Sequence, residues 1–173
     1  MKPNDQFSFV KNNLISQDST SLIRLYLPIL GINATTIYQY FLAFWDNGKS
    51  SYTVGHILNH LNLGMNALQK SINILSAMQL VELYQGENHF QIYLKSPLSP
   101  SEFLSNSVYR RLLEKKIGEA AVEALLPSQP KGQKQNVKLS DMFQVEDTKT
   151  ELPSKQNHFE LDYFKQLMAR ENL

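Results

Sequence analysis

The sequence predicts a mainly α fold that carries a small β-hairpin. Three observations predict it: two successive apolar stripes at helical spacing, a following stretch in which the apolar period drops to two, and a strong helix start just beyond that stretch. Val54, Ile57, Leu58 and Leu61 recur at i, i+3, i+4 and i+7, which is one face of a helix. Asn62-Leu63-Gly64 breaks that helix. Asn66 is the expected cap of a second helix, whose apolar stripe is Leu68, Ile72, Leu75 and Met78. Val81 and Leu83 then alternate with Glu82 and Tyr84, and Phe90, Ile92 and Leu94 alternate with His89, Gln91 and Tyr93, with Gly86-Glu87-Asn88 as the turn between two strands. Helix, turn, helix, hairpin is the order of a winged helix, a fold that grips nucleic acid or another protein and rarely does chemistry.

Extra helices are expected before this unit. Residues 1–13 show no helical period and are read as a flexible N-terminus. A first helix runs from near Ser19 to Leu27, with Asp18 and Ser19 as caps and Leu22, Leu25 and Tyr26 on one face. Pro28 disfavours helix at Leu27, and Gly31 is a natural stop. A second helix follows a cap at Asn33 and is crowded with Ile37, Tyr38, Tyr40, Phe41, Phe44 and Trp45. So much aromatic area on one helix implies burial on more than one side, either at the centre of the core or against a partner chain.

Beyond the hairpin, Ser99-x-x-Glu102 is a capping box, and Pro100 sits at the first helical position, where its missing N–H is harmless. Val108, Leu112 and Ile117 are expected to continue the apolar side of that helix until Gly118 breaks it. A short helix from Glu119 to Leu126 ends at Pro127, which closes a winged-helix docking domain spanning residues 14–126. Residues 127–157 hold Pro, Lys, Gln, Ser and Asn with few large apolar groups, and read as a flexible linker in which Met142 and Phe143 are the exceptions. From His158 to Leu173, Phe159, Leu161, Phe164 and Leu167 outline a short amphipathic helix, expected to dock on a winged-helix body or to begin a second module.

The chain has 173 residues, 42% hydrophobic content, no cysteine and a net charge of +1. Lack of cysteine excludes a disulfide framework and a thiolate zinc site, and suits a reducing, cytoplasmic setting. No apolar h-region follows the first residues, so no signal peptide is expected, and the apolar run Leu25–Leu30 is too short to span a bilayer. Near-neutrality argues against a domain whose main business is gripping duplex DNA.

Four motifs call for chemistry and do not sustain it. Ala43 to Ser50 matches a relaxed phosphate-binding loop, but a helix precedes it, Phe44 and Trp45 fill the cradle, and no strand ending in Asp could hold magnesium. His56 and His60 have metal-ligand spacing, but they lie opposite the apolar face and no carboxylate joins them on that helix. The second helix of the motif offers Asn66, Gln69, Lys70, Ser71, Asn73, Ser76 and Gln79, which is thin in cations for phosphate anchoring. Arg110, Arg111, Lys115 and Lys116 form a basic cluster diluted by Glu114, Glu119 and Glu123. The candidate DNA contacts are therefore Lys70, Asn73, Lys95, Arg110, Arg111 and Lys115. No nucleophile–base pair, metal constellation or cofactor motif is visible, so the chain is not expected to be an enzyme.

Leu25-Tyr-Leu-Pro-Ile-Leu-Gly31, the aromatic helix, the helix-turn-helix, a hairpin ending in Tyr93-Leu-Lys and Ser96-Pro-Leu-Ser-Pro-Ser-Glu-Phe103 together resemble the N-terminal region of the DnaB/DnaD-type primosomal proteins. These are replication initiation proteins of low-GC Gram-positive bacteria, distinct from the replicative helicase that elsewhere shares the name DnaB. The resemblance covers about residues 14–126, and His158-Phe-Glu-Leu-Asp-Tyr-Phe-Lys165 is similar to an aromatic-acidic segment that follows the linker in the DnaB branch. It implies a winged helix used for self-association and protein docking during primosome assembly at origins and restart sites. The implied partners are a DnaD-like protein, the helicase loader and the helicase. A place at the nucleoid and peripheral membrane association through partners are also implied. Family members carry a second helical module with a Tyr-x-x-x-Ile-x-x-x-Trp motif; Trp45 is the only tryptophan here and nothing around it fits, so the chain reads as shortened.

The leading expectation is a non-enzymatic scaffold that forms a dimer or tetramer by burying Leu22, Leu25, Tyr26, Ile29, Tyr38, Phe41 and Trp45 across a symmetric interface, with weak, non-specific DNA binding. The rival is a sequence-specific transcriptional regulator placing Gln69, Lys70 and Asn73 in a major groove.

Overall fold

The structure, a computed structural model, describes residues 1–12, 19–45, 51–144 and 165–166. They fall into two compact units, Met1–Ser128 and Gln129–Leu173. In the first unit the order is strand β1 (Gln6–Phe9), a π-helical turn (Leu22–Tyr26), α1 (Leu27–Phe44), β2 (Ser51–Thr53), α2 (Val54–Leu61), α3 (Met65–Ala77), β3 (Val81–Gln85), β4 (His89–Leu94), α4 (Pro100–Ser105), α5 (Ser107–Ile117) and α6 (Glu119–Glu123). This is a winged helix with added elements at both ends.

The helix-turn-helix follows its sequence pattern. Val54 and Ile57 of α2 and Leu68, Ile72 and Leu75 of α3 are buried, and Asn62 closes α2 in the left-handed conformation at φ 53°. Thr53 caps α2 by accepting the His56 N–H at 3.2 Å. The cap of α3 differs from expectation: Gly64 takes the N-cap position with no side-chain bond, and Asn66 lies exposed in the first turn.

The N-terminus departs most from expectation. Part of the stretch read as flexible is β1, inside a sheet whose order among the described residues is β2-β1-β4-β3. β1 runs antiparallel to β2, with Phe7 opposite Tyr52, and parallel to β4, with Phe7 opposite Phe90 and Phe9 opposite Ile92. Phe7 and Phe9 share one face, as period two requires, and each is only 2% exposed. Their rings lie 6.2 and 6.0 Å from that of Phe41 in α1, and Phe7 stacks on Tyr52 at 5.3 Å. The period is real, but four residues are too few to stand out in the sequence. β3 and β4 form the expected hairpin, with Val81 opposite Leu94.

Pro28 does not end the first helix. The helical run passes through it, with Leu27 itself helical at φ −52° and ψ −45° after the π-helical turn, and the path is broken instead at Gly31, at φ 81° and ψ 171°. Asn33 is exposed within α1 and makes no cap. Beyond the break, Ile37, Tyr38, Tyr40 and Phe41 are buried, so the aromatic helix is the central helix of the core.

The helix after the capping box also divides. Ser99 accepts the Glu102 N–H at 3.3 Å and Pro100 opens α4, as expected. Asn106 then starts a new helix, its Oδ1 accepting the N–H groups of Val108 and Tyr109, both at 3.1 Å. The restart turns Tyr109 and Leu113 inward and leaves Val108 and Leu112 outside, contrary to the expected apolar side; Ile117 is exposed too. Gly118 breaks the chain at φ 91°, and Val122 of α6 is buried. In the second unit, the described stretch after Ser128 is exposed and contains one short helix, α7 (Leu139–Met142), where no structure was expected. Of the tail, Phe159, Leu161, Phe164 and Leu167 lie outside the described residues.

Candidate functional site

Each expected interface residue has a definite place. Leu22, Leu25, Tyr26, Tyr38 and Phe41 are buried in the chain's own core, so they are unavailable for a contact between copies. Tyr26 packs edge-on against Phe103 with ring centroids 4.9 Å apart, and its hydroxyl accepts the Leu98 N–H at 2.9 Å. Burial pushes its pKa up to about 12 despite the opposing Leu98 bond. The Tyr38 hydroxyl donates to the Lys95 carbonyl at 2.5 Å, and burial raises its pKa further still. Ile29 and Trp45 are half-buried. The apolar surface that the N-terminal helices do present is Ile23, 46% exposed, and Ile32, 77% exposed beside the Gly31 break. A buried aromatic and a surface aromatic look alike in sequence, so spacing alone selects the wrong face.

The candidate DNA contacts separate by their partners. Lys95 pairs with Glu82 across the hairpin at 2.6 Å. The bond to Lys95, aided by one from the Tyr84 hydroxyl, holds the Glu82 carboxyl below its ordinary range, and Lys95 is raised in return. Arg110 pairs with Glu114 at 2.9 Å. Asn73 accepts from the Gln69 amide at 3.1 Å. Lys70, Arg111 and Lys115 are exposed and make no ion pair among the described residues. Lys70 stands on α3, whereas Arg111 and Lys115 stand on α5, so no continuous cationic track forms along α3.

The two histidines point outward but are not bare. The His60 ring lies edge-on to Tyr40 and Phe44, with the Tyr40 hydroxyl 3.2 Å from Nδ1, and His56 lies against Tyr52. Among the described residues no group of three His, Cys, Asp or Glu side chains could hold a metal ion. The loop pattern at residues 43–50 falls mostly outside the described residues, with α1 still running at Phe44 where a strand would be needed. No helix among the described residues is long and apolar enough to cross a membrane.

The family model of the DnaB N-terminal winged helix domain matches residues 1–173. The chain belongs to that family. In fold it is similar to the primosome protein DnaB, residues 1–300, of Geobacillus stearothermophilus, with a TM-score of 0.68 at 18% identity, over 82% of this chain and 59% of that one. It thus spans well under two thirds of the length of that solved relative. No curated protein matches the sequence. Family membership agrees with the helix order and with the two motifs that carried the resemblance. Sequence reasoning missed the outward Val108–Leu112 stripe of α5; the signal that could have found it was Asn106, a strong cap seven residues after the first one at Ser99.

Proposed function

We propose that this DnaB-family domain is a non-enzymatic assembly module of replication initiation and restart, working by self-association and by docking other primosome proteins in support of helicase loading. The family supports the replication role, and the structurally similar Geobacillus protein is itself a primosome protein. The observation that carries the docking role is that, among the described residues, the helix-turn-helix and hairpin offer a single unpaired lysine or arginine, Lys70, with Arg111 and Lys115 apart from it on α5. Glu82 occupies Lys95, Glu114 occupies Arg110, and Lys70 is the lone cation of α3. A duplex grip needs several free cations along the backbone, because each phosphate contact contributes through counterion release. DNA binding by this chain is therefore weak and sequence-indifferent. The residues we assign to self-association are the aliphatic ones that the N-terminal helices leave outside, Ile23 and Ile32.

Light scattering at about tens of micromolar, a range suited to weak interfaces, tests self-association. A dimer or tetramer mass is expected, and Ile23→Asp with Ile32→Asp should reduce it. A monomer at that concentration overturns the self-association. A gel shift at physiological salt with random competitor tests the rest: tight, competitor-resistant binding to one sequence would favour the regulator.

A further inference from the structure

We propose that the outward face of α5 docks an acidic amphipathic helix of a partner protein; this deepens the docking role proposed above and rests on it. Val108, Arg111, Leu112 and Lys115 stand at i, i+3, i+4 and i+7, which places them on one face. The opposite face is spoken for. Tyr109 and Leu113 are buried, and the Tyr109 hydroxyl donates to the Met78 carbonyl at 3.2 Å. Among the described residues nothing covers the outward face: Val108 is 63% exposed and Leu112 36%. With Ser107, these residues line a shallow groove of about 370 Å³.

The charge on this face selects the occupant. Arg110 is held by Glu114, while Arg111 and Lys115 have no ion-pair partner among the described residues. The face is cationic on a chain whose net charge is only +1. A second copy of α5 laid across it by a two-fold axis would set Arg111 and Lys115 against the same cations, which is repulsive. Nucleic acid fits the cations but not the aliphatic pair beside them, since a phosphate backbone offers nothing apolar to bury Val108 and Leu112. A helix with an aliphatic seam flanked by carboxylates answers both: its seam covers Val108 and Leu112, and its Asp and Glu pair with Arg111 and Lys115. The eleven residues of α5 extend about 16 Å, room for a partner helix of about three turns.

The test uses the full chain and a fluorescein-labelled synthetic peptide of about four helical turns, with leucines along one seam and glutamates beside them, read by fluorescence anisotropy. A random-sequence fluorescent duplex is titrated in parallel. Arg111→Glu with Lys115→Glu, and separately Val108→Ser with Leu112→Ser, should each weaken the peptide at least about tenfold. Val108→Asp should do the same by repelling the carboxylates beside the seam, and unchanged thermal melts show that the variants fold. Duplex binding should be weaker than peptide binding and indifferent to the Val108/Leu112 double change. Failure of the peptide to bind overturns the proposal, as does peptide binding that ignores the aliphatic substitutions and so reflects bare charge. A duplex that binds more tightly through Arg111 and Lys115 reassigns the face to nucleic acid. Loss of peptide binding with the oligomer mass retained sinks this inference alone and leaves the assembly role standing.

Discussion

The Tyr26 hydroxyl accepts the Leu98 backbone N–H at 2.9 Å, joining residues 72 positions apart in the chain. The bond ties the π-helical turn to the segment between the wing and α4. The ring beneath it packs on Phe103 and Tyr109, from α4 and α5, at 4.9 and 6.5 Å. Three elements outside the helix-turn-helix are thereby fastened together by one side chain.

Tyr26→Phe keeps the ring and removes the acceptor, leaving the Leu98 N–H without its partner. The expected loss is about 1 kcal/mol in urea unfolding, the net worth of a partly buried hydrogen bond. The pH dependence has a definite sign. Tyr26 is an acid whose folded pKa is raised from 10.0 to about 12, so above pH 10 the unfolded state gives up its proton first. Stability should fall as pH rises from 10 towards 12, and the fall should be shallower in the phenylalanine variant. Equal alkaline slopes for the two proteins contradict the burial of this hydroxyl.

Phe7→Ala tests whether the N-terminal strand belongs to the core. Its ring is 2% exposed and meets Phe9, Phe41 and Tyr52. Removing a buried phenylalanine costs about 3–5 kcal/mol, a loss visible as a large shift of the urea midpoint. Amide hydrogen exchange gives a second reading: the N–H groups of residues 6–9 should be as protected as those of β4. A free N-terminus would show neither effect.

Much of this architecture was legible in the sequence, and the failures share a cause. Leu68, Ile72, Leu75 and Met78 declared α3 because four apolar residues kept helical spacing over three turns, and all four are buried. Ser99 and Glu102 declared the start of α4 through local chemistry alone. Phe7 and Phe9 carried the same kind of information, but over four residues and with their partners Tyr52, Phe90 and Ile92 far along the chain. Register failed in α5 for a related reason. A single helix from Pro100 would have put Val108 and Leu112 inside, but the Asn106 cap restarts the helix and rotates the face. The candidate site suffered most, because neither the burial of Tyr26, Tyr38 and Phe41 nor the pairing of Lys95 with Glu82 can be read from spacing. Such facts depend on contacts between elements, and period reports only on one element at a time.

Glu82→Gln addresses that pairing. The bond from Lys95, then that from the Tyr84 hydroxyl, lowers the carboxyl pKa below its ordinary 4.5. A depressed carboxylate adds stability that is present above the unfolded pKa and is lost as pH falls through the folded one. The wild type should therefore lose stability on acidification below 4.5 more steeply than the glutamine variant. At neutral pH the difference should be small, because the pair is exposed to solvent. Thermal melts across the acid range measure it, and high salt should shrink it. A larger gap between the two proteins in acid than at neutral pH has the wrong sign for this pairing.

Gly31→Ala isolates the break that opens the central helix. At φ 81° and ψ 171°, Gly31 occupies a region open in practice only to glycine. A Cβ built there has no heavy atom within 4 Å, so its cost is backbone strain and not collision. That strain should lower stability by about 1–3 kcal/mol. Two relaxations compete. The chain can hold the break and bear the strain, or it can straighten into a continuous helix and carry Leu30 out of the core, where it is 4% exposed. The Thr35 hydroxyl donates to the Gly31 carbonyl at 2.8 Å, an i−4 bond that a straight helix also makes, so it does not choose between them. Leu30→Ala in the alanine background does: if the break persists, Leu30 is still buried and its removal adds about 2–5 kcal/mol. If the helix has straightened, Leu30 is already outside and the double variant melts close to the single one. The added loss is expected, since burying Leu30 stabilises the bent path. An alanine variant as stable as the wild type shows that the glycine conformation is not required there.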